Sequence, residues 1–233
     1  MSIILEYKSV CKNFGDKQVL KNVNLSIESN KIVGLLGKNG SGKSTLFKIV
    51  NDLLTISSGE VLVDGKPISV DSKKVVSYLP ERTYLDPSLK VCEAMDMFET
   101  FYEDFDRKKA ETLLEELKLD KNMRLSKMSK GMKEKVQLVL VMSRNAKLYI
   151  LDEPLGGVDP ASRDYILKTI LKNFNKEATL FISTHMIADI EQILDDVIFI
   201  DEGEIVINDS AKNLREKENC SIDEIFRRKF YVH

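Results

Sequence analysis

A glycine-rich turn near the N-terminus carries the residue types that phosphate binding requires. Gly42, Lys43 and Ser44 complete a stretch with the spacing G-x-x-x-x-G-K-S/T, between an apolar segment and a segment of helical spacing. In this pattern backbone N–H groups surround the phosphates, the lysine neutralises the β and γ charges, and the hydroxyl binds Mg²⁺. The predicted phosphate-binding residues are Gly37, Lys38, Asn39, Gly40, Ser41, Gly42, Lys43, Ser44 and Thr45.

A second stretch, "KLYILDEP", supplies two neighbouring carboxylates. Residues 148–151 form a short apolar run, typical of a strand that is covered on both faces, and Asp152 and Glu153 follow it. Sheets of α/β proteins place ligands at this end of a strand. We expect Asp152 to hold Mg²⁺ and Glu153 to orient and deprotonate the attacking water. For these two residues alone, a solvated acidic turn is the alternative.

His185 follows a predicted strand over residues 179–183, and the chain has one other histidine, His233. A neutral imidazole beside a γ-phosphate can accept a proton from the attacking water and donate to a phosphate oxygen. This chemistry gives His185 a catalytic role beside Glu153 and Lys43. The alternative for a single histidine is a structural role.

The stretch "SKMSKGMKEKVQLVLV" places Ser129 and Gly131 just before a segment with helical apolar spacing. Its apolar positions predict a helix with one buried stripe and free N–H groups in its first turn, which attract anions. An ordinary N-cap with Ser129 as the capping hydroxyl is the alternative. The residues of the stripe are Val136, Val139, Leu140 and Ser143.

The elements that position these motifs also follow from the apolar pattern. Residues 31–36 predict a strand before the glycine-rich turn, and the N-terminal "MSIILEYKSV" predicts another. The helix after the turn is expected to bury one face, which carries Leu46, Ile49, Val50 and Leu53.

Composition limits the class of protein. The 233 residues suffice for one large α/β domain with two lobes, and 35 Lys and Arg against 37 Asp and Glu create no basic field that favours nucleic acid. Three cysteines lie far apart, which argues against a zinc site or a disulfide framework and fits a reducing cytoplasm. We expect no signal peptide and no membrane-spanning segment.

Taken in this order, these motifs resemble the nucleotide-binding subunit of ATP-binding-cassette (ABC) transporters. "MSKGM" is similar to the ABC signature, usually written L-S-G-G-Q; Ser129 and Gly131 match it, whereas Lys130 and Met132 differ. The resemblance implies that Ser129 and Gly131 bind the γ-phosphate of an ATP held by the opposite subunit of a head-to-tail dimer.

The resemblance implies three further site residues. Phe14 corresponds to an aromatic residue that stacks on adenine. Glu81, in "SYLPERTY", stands where the Q-loop usually has a glutamine that contacts Mg²⁺ and relays contact with the membrane subunit. Asp159, in "GGVDP", matches the D-loop, in which Gly157 replaces a more usual small polar residue.

The resemblance also implies the fold and its division. We expect an α/β P-loop NTPase of the ABC ATPase type, with a RecA-like core, an N-terminal antiparallel β subdomain and a helical subdomain that carries the signature. The expected single ABC ATPase domain, 1–233, would comprise the core and β subdomain, 1–82 and 146–233, and the helical subdomain, 83–145.

The implied function is an ATP-binding and ATP-hydrolysing subunit on the cytoplasmic face of the cell membrane. Its cofactors would be ATP and Mg²⁺, and its partners would be polytopic membrane subunits and a second ABC ATPase subunit, identical or different. The motifs look most like small Gram-positive exporter ATPases for peptides, such as phenol-soluble modulins, or for antibiotics. A regulatory ABC ATPase that acts on a soluble partner or DNA and a P-loop kinase are the alternatives.

The surface from residue 81 to residue 97 is expected to receive helical ends of the membrane partner. The apolar residues proposed to line it are Tyr84, Leu85, Val91, Met95 and Met97, and the alternative for some of them is a place in the core.

Overall fold

The computed structural model describes residues 2–156, 158 and 160–231, and of residues 160–162 only the backbone. The strands are β1 (Ile3–Phe14), β2 (Lys17–Glu28), β3 (Ile32–Leu36), β4 (Ser58–Val63), β5 (Lys66–Pro67), β6 (Val76–Leu79), β7 (Leu148–Asp152), β8 (Thr179–Thr184), β9 (Asp196–Asp201) and β10 (Glu204–Ser210). The helices are α1 (Lys43–Val50), α2 (Val70–Val75), α3 (Val91–Phe101), α4 (Arg107–Glu116), α5 (Lys130–Met142), α6 (Pro160–Asn173), α7 (Ile187–Ile190), α8 (Ala211–Glu218) and α9 (Ile222–Tyr231).

Two sheets organise the described residues. The larger has the strand order β10-β9-β3-β8-β7-β6 and is parallel from β9 to β6, with β10 antiparallel at its edge. The smaller is antiparallel, with the order β2-β1-β4-β5. This arrangement agrees with the expected mixed α/β fold with an N-terminal antiparallel part.

The central strands are covered on both faces. In β7, Leu148 and Ile150 pack into the core that α1 shares with the antiparallel sheet, whereas Tyr149 and Leu151 pack into the core on the opposite face. All residues of β7 and β8 are buried, as the continuous apolar runs predict. Because β3, β8 and β7 are parallel neighbours, their carboxyl ends lie side by side at one edge of the sheet.

The prediction that Leu53 shares the buried face of α1 is wrong. The helix ends at Val50, and Asp52 takes a left-handed conformation with φ of 57°. The amide of Leu53 donates to the carbonyl of Lys48, and the amide of Asp52 donates to that of Ile49, which is a Schellman end. Leu53 consequently leaves the helix axis and is 60% exposed.

Helices α3, α4 and α5 lie in sequence between the neighbouring strands β6 and β7, and they contact one another. All three fall within residues 83–145, although the proposed division of the chain stays a prediction. Helix α5 also contacts β6, and every residue from Val136 to Met142 is buried. Among the described residues, no helix is long and apolar enough to cross a membrane.

Candidate nucleotide-binding site

The glycine-rich turn connects β3 to α1 and curls around its own lysine. Lys43 is the first residue of α1, and its Nζ donates to the carbonyls of Gly37 at 2.7 Å and Lys38 at 3.2 Å. The side chain is 6% exposed. A buried ammonium group at a helix N-terminus gives this loop the positive charge that a phosphate requires.

Two glycines of the loop admit no other residue. Gly42 has a φ of 112°, and a Cβ there would lie 2.9 Å from Leu20 Cδ2. A Cβ on Gly37 would lie 2.5 Å from the carbonyl oxygen of Ile200 and 2.6 Å from Ser41 Oγ. The loop is therefore packed closely against β2 and β9, which hold its shape.

The turn between β9 and β10 ties the antiparallel sheet to this loop. The amide of Gly203 donates to the carbonyl of Ser41 at 3.0 Å, and the amide of Lys21 donates to the carbonyl of Gly203 at 2.9 Å. Through these bonds the position of β2, and of the hairpin that it forms with β1, depends on the phosphate loop.

Asp152 lies at the end of β7 and is 1% exposed. Ser183, its partner in the register with β8, donates from Oγ to Asp152 Oδ1 at 2.6 Å. Burial raises the pKa of Asp152, hydrogen bonds from Ser183 and Ser44 lower it, and the charges of Glu153 and Glu81 raise it further. The carboxylate of Asp152 and the hydroxyl of Ser44 are hard oxygen ligands of the kind that Mg²⁺ binds.

Glu153 has a left-handed backbone, with φ of 50°, which is uncommon for a residue other than glycine. Its amide donates to Ser183, to the hydroxyl at 3.0 Å and to the carbonyl at 3.1 Å. These bonds hold the turn and direct the side chain toward the phosphate loop, where Oε1 lies 3.5 Å from Lys43 Nζ.

His185 completes the group of predicted catalytic residues. Its Nδ1 lies 2.9 Å from Glu153 Oε2, and 41% of its side chain is exposed. The structure thus brings Lys43, Glu153 and His185 together from three separate strand ends. Their catalytic roles stay predictions.

An open cavity of about 780 Å³ joins these parts. Its lining includes Asn39, Gly40, Gly42, Lys43, Ser44, Thr45, Phe14, Glu81, Glu153 and His185. Two buried oxygens near it, Ser41 Oγ and Glu153 Oε1, have no hydrogen-bond partner among the described residues. A ligand with phosphate and Mg²⁺ would supply partners of the kind that such groups need.

A few oxygen-bearing side chains near the cavity are of the kind that Mg²⁺ binds. No group of three or more His, Cys, Asp or Glu side chains among the described residues could hold a metal by itself. Mg²⁺ in nucleotide sites needs only one or two protein carboxylates, because phosphate and water supply the other ligands. Ser44, Asp152 and Glu81 are the residues present that fit this role.

Phe14 lies at the mouth of the cavity, at the last position of β1, and is 47% exposed. It is therefore not a core residue. Lys12 Nζ lies 4.7 Å from the centroid of the Phe14 ring. Lys17, which pairs with Phe14 across the β1–β2 hairpin, also lines the cavity.

Sequence reasoning missed Lys17 and Ser183. Lys17 belongs to the site because the hairpin turns directly after Phe14, a register that the sequence signals only through the Gly15-Asp16 turn. Ser183 orients both Asp152 and Glu153. Its only signal was a polar residue at the end of a buried apolar run, and its role depends on the pairing of β7 with β8.

The start of α5 has the cap geometry of the alternative interpretation. The amide of Met132 donates to Ser129 Oγ at 3.3 Å, and Ser129, Lys130 and Gly131 are exposed. A cap and a phosphate contact are compatible, because the remaining N–H groups of the first turn stay available. The binding roles of Ser129 and Gly131 stay predictions, and Asp159, with Gly157, lies outside the described residues.

The five apolar residues considered for the surface of residues 81–97 divide between the two alternatives. Leu85, Val91 and Met95 are core residues, whereas Tyr84 and Met97 are exposed. Tyr84 does line a groove of about 680 Å³ between the larger sheet and α3. The rest of its lining includes Lys48, Leu53, Glu81, Arg82, Phe98, Tyr102 and Arg144.

Comparison with known proteins identifies the family. The family model described as "ABC transporter" matches residues 20–156, more than half of the 233-residue chain. The chain is 29% identical over 234 residues to the ABC-type transporter ATP-binding protein EcsA of Bacillus subtilis (strain 168), covering 96% of this chain and 95% of EcsA.

Two further likenesses agree with this family. The chain is 30% identical over 226 residues to the lantibiotic transport ATP-binding protein SrtF of Streptococcus pyogenes, covering 94% of this chain and 97% of SrtF. A solved structure of an ATP-binding subunit of an ABC transporter superposes with a TM-score of 0.86 at 26% identity, over 97% of this chain and 98% of that one. The expected ABC ATPase fold is therefore confirmed. The chain belongs to the ABC transporter family, as an ATP-binding and ATP-hydrolysing subunit of such transporters.

Proposed function

We propose that this subunit powers the export of peptides or antibiotics through membrane subunits and works as a dimer that encloses two ATP molecules. Its similarity to SrtF, a lantibiotic transport protein, along almost the full length of both chains carries the proposal for the cargo class. The chain would lie on the cytoplasmic face of the membrane, where its partners hold it.

ATP would occupy the cavity between Phe14 and the phosphate loop. The exposed ring of Phe14 offers a flat apolar surface for adenine, while Lys43 and the loop amides would bind the phosphates. Ser44, Asp152 and Glu81 would hold Mg²⁺. When bound, Mg²⁺ neutralises charge on the β- and γ-phosphates and lowers the cost of transferring the γ-phosphoryl group.

Glu153 would act as the general base. The left-handed turn at its backbone holds the side chain in the cavity, and Lys43 and His185 contact one carboxylate oxygen each. Binding of a triphosphate draws Lys43 to the phosphates, so Glu153 Oε1 becomes free to accept a proton from water. His185 would orient the carboxylate by donating from Nδ1 to Glu153 Oε2.

The exposed start of α5 would contact the nucleotide of a second subunit. Ser129 and Gly131 present N–H groups and a hydroxyl on the surface, and open space surrounds the Cα of Gly131. A phosphate can therefore approach the helix closely. Asp159 would contribute to the same interface.

The groove that Tyr84 and Arg82 line would receive a cytoplasmic helix of the membrane subunit. Exposed aromatic and apolar side chains, Tyr84 and Leu53, lie beside the cations Lys48 and Arg82. Glu81 lines both this groove and the nucleotide cavity, so a helix in the groove would contact the loop that borders ATP.

Co-purification from detergent extracts of cells that express this chain tests the proposal, because it shows whether a polytopic membrane protein binds it. We expect a stable complex whose ATPase rate rises with a lantibiotic or another amphipathic peptide and stays unchanged with free amino acids. Cysteine pairs between position 82 or 84 and cytoplasmic loops of the partner should cross-link, whereas a pair from Lys212 should not. A subunit that binds no membrane protein and is stimulated by a soluble partner or DNA would contradict export.

A further inference from the structure

Gln137 is a buried amide in an otherwise apolar part of α5. It is 2% exposed, and its neighbours Val136 and Leu138 to Met142 are buried apolar side chains. Burying an amide costs free energy unless hydrogen bonds replace those made with water. A leucine would satisfy the packing here, so the partners of Gln137 indicate what the amide is for.

Both hydrogen bonds of this amide reach the loop that follows β6. Thr83 Oγ1 donates to Gln137 Oε1 at 2.7 Å, and Gln137 Nε2 donates to the carbonyl of Pro80 at 3.5 Å. Because a carbonyl only accepts, Pro80 determines which end of the amide faces it and leaves Oε1 for Thr83. Glu81 lies in the chain between the two contacts.

Little else fixes this loop. Glu81, Arg82, Thr83 and Tyr84 are all exposed, so burial does not hold them. The loop nevertheless begins beside the catalytic carboxylates, because Leu79 pairs with Leu151, the residue before Asp152. A small cavity of about 30 Å³ has Glu81, Thr83, Gln137, Asp152 and Glu153 in its lining.

We propose that Gln137 is a positioning residue that, through Thr83 and Pro80, holds Glu81 at the edge of the phosphate cavity. The same bonds join this loop to the helix that begins about two turns earlier at Ser129. Hydrogen bonds therefore connect α5, which begins next to Ser129, to the loop that carries Glu81. The inference rests on the proposed role of Glu81 beside Mg²⁺ and names the residues that make that role possible.

The test uses the full chain and substitutions on both sides of the bond. Thr83→Val keeps the shape of an exposed side chain and removes its donor, so folding should be retained, and Thr83→Ser keeps the donor. Gln137→Leu removes the amide. Thr112→Val is the matched control, since Thr112 is exposed and its hydroxyl donates to the backbone carbonyl of Lys108 within α4.

We expect Thr83→Val and Gln137→Leu to lower kcat for Mg-ATP by about 10-fold, since small displacements of a reacting group cost this much or more. KM should stay within about 2-fold, because Phe14 and the phosphate loop are untouched. Amide hydrogen exchange of residues 81–84 should accelerate in both variants and not in the strands β7 and β8. Thr83→Ser and Thr112→Val should behave as the unmodified chain.

Combination with Glu81→Ala shows whether the effect passes through Glu81. If it does, Thr83→Val should add nothing to Glu81→Ala, because neighbours that act through one group are not additive. Additive losses, or unchanged exchange and kcat in Thr83→Val, would overturn the inference. A different outcome is full activity in Glu81→Ala together with accelerated exchange in Thr83→Val. It would show that Glu81 has no role beside Mg²⁺, and the positioning role of Gln137 would then be wrong as well.

Discussion

Lys43 Nζ lies 3.5 Å from Glu153 Oε1, so the two side chains form an ion pair. Lys43 also donates to two carbonyls of its own loop, so its ammonium group is already directed to the space that the phosphates need. A single side chain thus shapes the loop and supplies its charge. Its replacement should affect binding and catalysis together.

Lys43→Ala should weaken ATP binding and reduce turnover by about 10²–10³-fold, the cost of losing one preorganised charge at a developing anion. Isothermal titration and phosphate release measure the two effects. Lys212→Ala, at an exposed position of α8, is the control. Retained turnover in Lys43→Ala would contradict the phosphate-loop assignment.

Phe14→Ala should lower nucleotide affinity by about 1–2 kcal/mol if the ring stacks on adenine, by analogy with bases that stack on aromatic side chains. Titration with a fluorescent ATP analogue measures it. Phe101→Ala is a matched control, because Phe101 is an exposed phenylalanine, 73% exposed, at the end of α3. Equal affinity in both variants would remove Phe14 from the site.

At the scale of elements, one buried arginine joins α5 to two other segments. Arg144, just after α5, is 2% exposed, pairs with Asp104 between α3 and α4, and donates to backbone carbonyls of Lys73, Lys74 and Val76 around the end of α2. Its guanidinium lies 3.7 Å from the ring centroid of Tyr102. These contacts hold α5 at a defined place beside β6.

Arg144→Met should destabilise the fold by about 3–5 kcal/mol, because it leaves a carboxylate and several carbonyls without their partner. Urea unfolding measures the loss. In the control, Arg107→Met, a half-buried arginine loses its pairs with the exposed carboxylates of Asp96 and Glu99, and the cost should stay below about 1 kcal/mol. If Arg144→Met also lowered the free energy of unfolding by less than about 1 kcal/mol, Arg144 would contribute no more than a surface charge does.

At the scale of the whole molecule, the site is open on the side of the phosphates. The cavity of about 780 Å³ has exposed Lys130 and half-buried Lys133 in its lining. Hydrolysis of the γ-phosphate is favoured when one bound water attacks and bulk water is excluded. A second subunit whose α5 start covers the nucleotide would close the site. In the proposed dimer, this requirement would link catalysis to dimer formation.

Glu153→Gln should keep the shape of the site and remove the base, so bound ATP persists and turnover falls by about 10²–10⁴-fold. Such a variant should accumulate as a nucleotide-bound dimer in size-exclusion light scattering with Mg-ATP. Adding Ser129→Arg should abolish the dimer while each monomer still binds ATP, because bulk and charge then face the partner's γ-phosphate.

Lys168→Arg, on an exposed face of α6, serves as the control substitution beside Glu153→Gln. A double variant of Glu153 and Ser129 that stays as dimeric as Glu153→Gln alone would reduce Ser129 to a helix cap. If the working dimer contains a different cassette, the measurement uses that partner chain.

The motifs and the class of fold were available from the sequence alone. The phosphate loop requires glycines and a lysine at set spacing within the chain, so residues 37–45 can be recognised from the sequence without knowledge of any tertiary contact. The run at 148–151 predicted a buried strand because continuous apolar segments need cover on both faces, and residues 179–183 predicted a second strand. The end of α1 was misjudged, since a Schellman turn at Asp52 overrides the apolar period at Leu53.

Only the tertiary structure decided which distant side chains meet. Ser183 orients Asp152 and Glu153 because β7 and β8 are neighbours in a parallel register, and apolar patterns do not specify which strands pair. Gln137 accepts a hydrogen bond from Thr83, 54 positions away in the chain, and Arg144 pairs with Asp104, 40 positions away. Such contacts depend on how helices dock on the sheet. The local spacing of residues does not predict that docking, because the free energy of packing depends on contacts throughout the core.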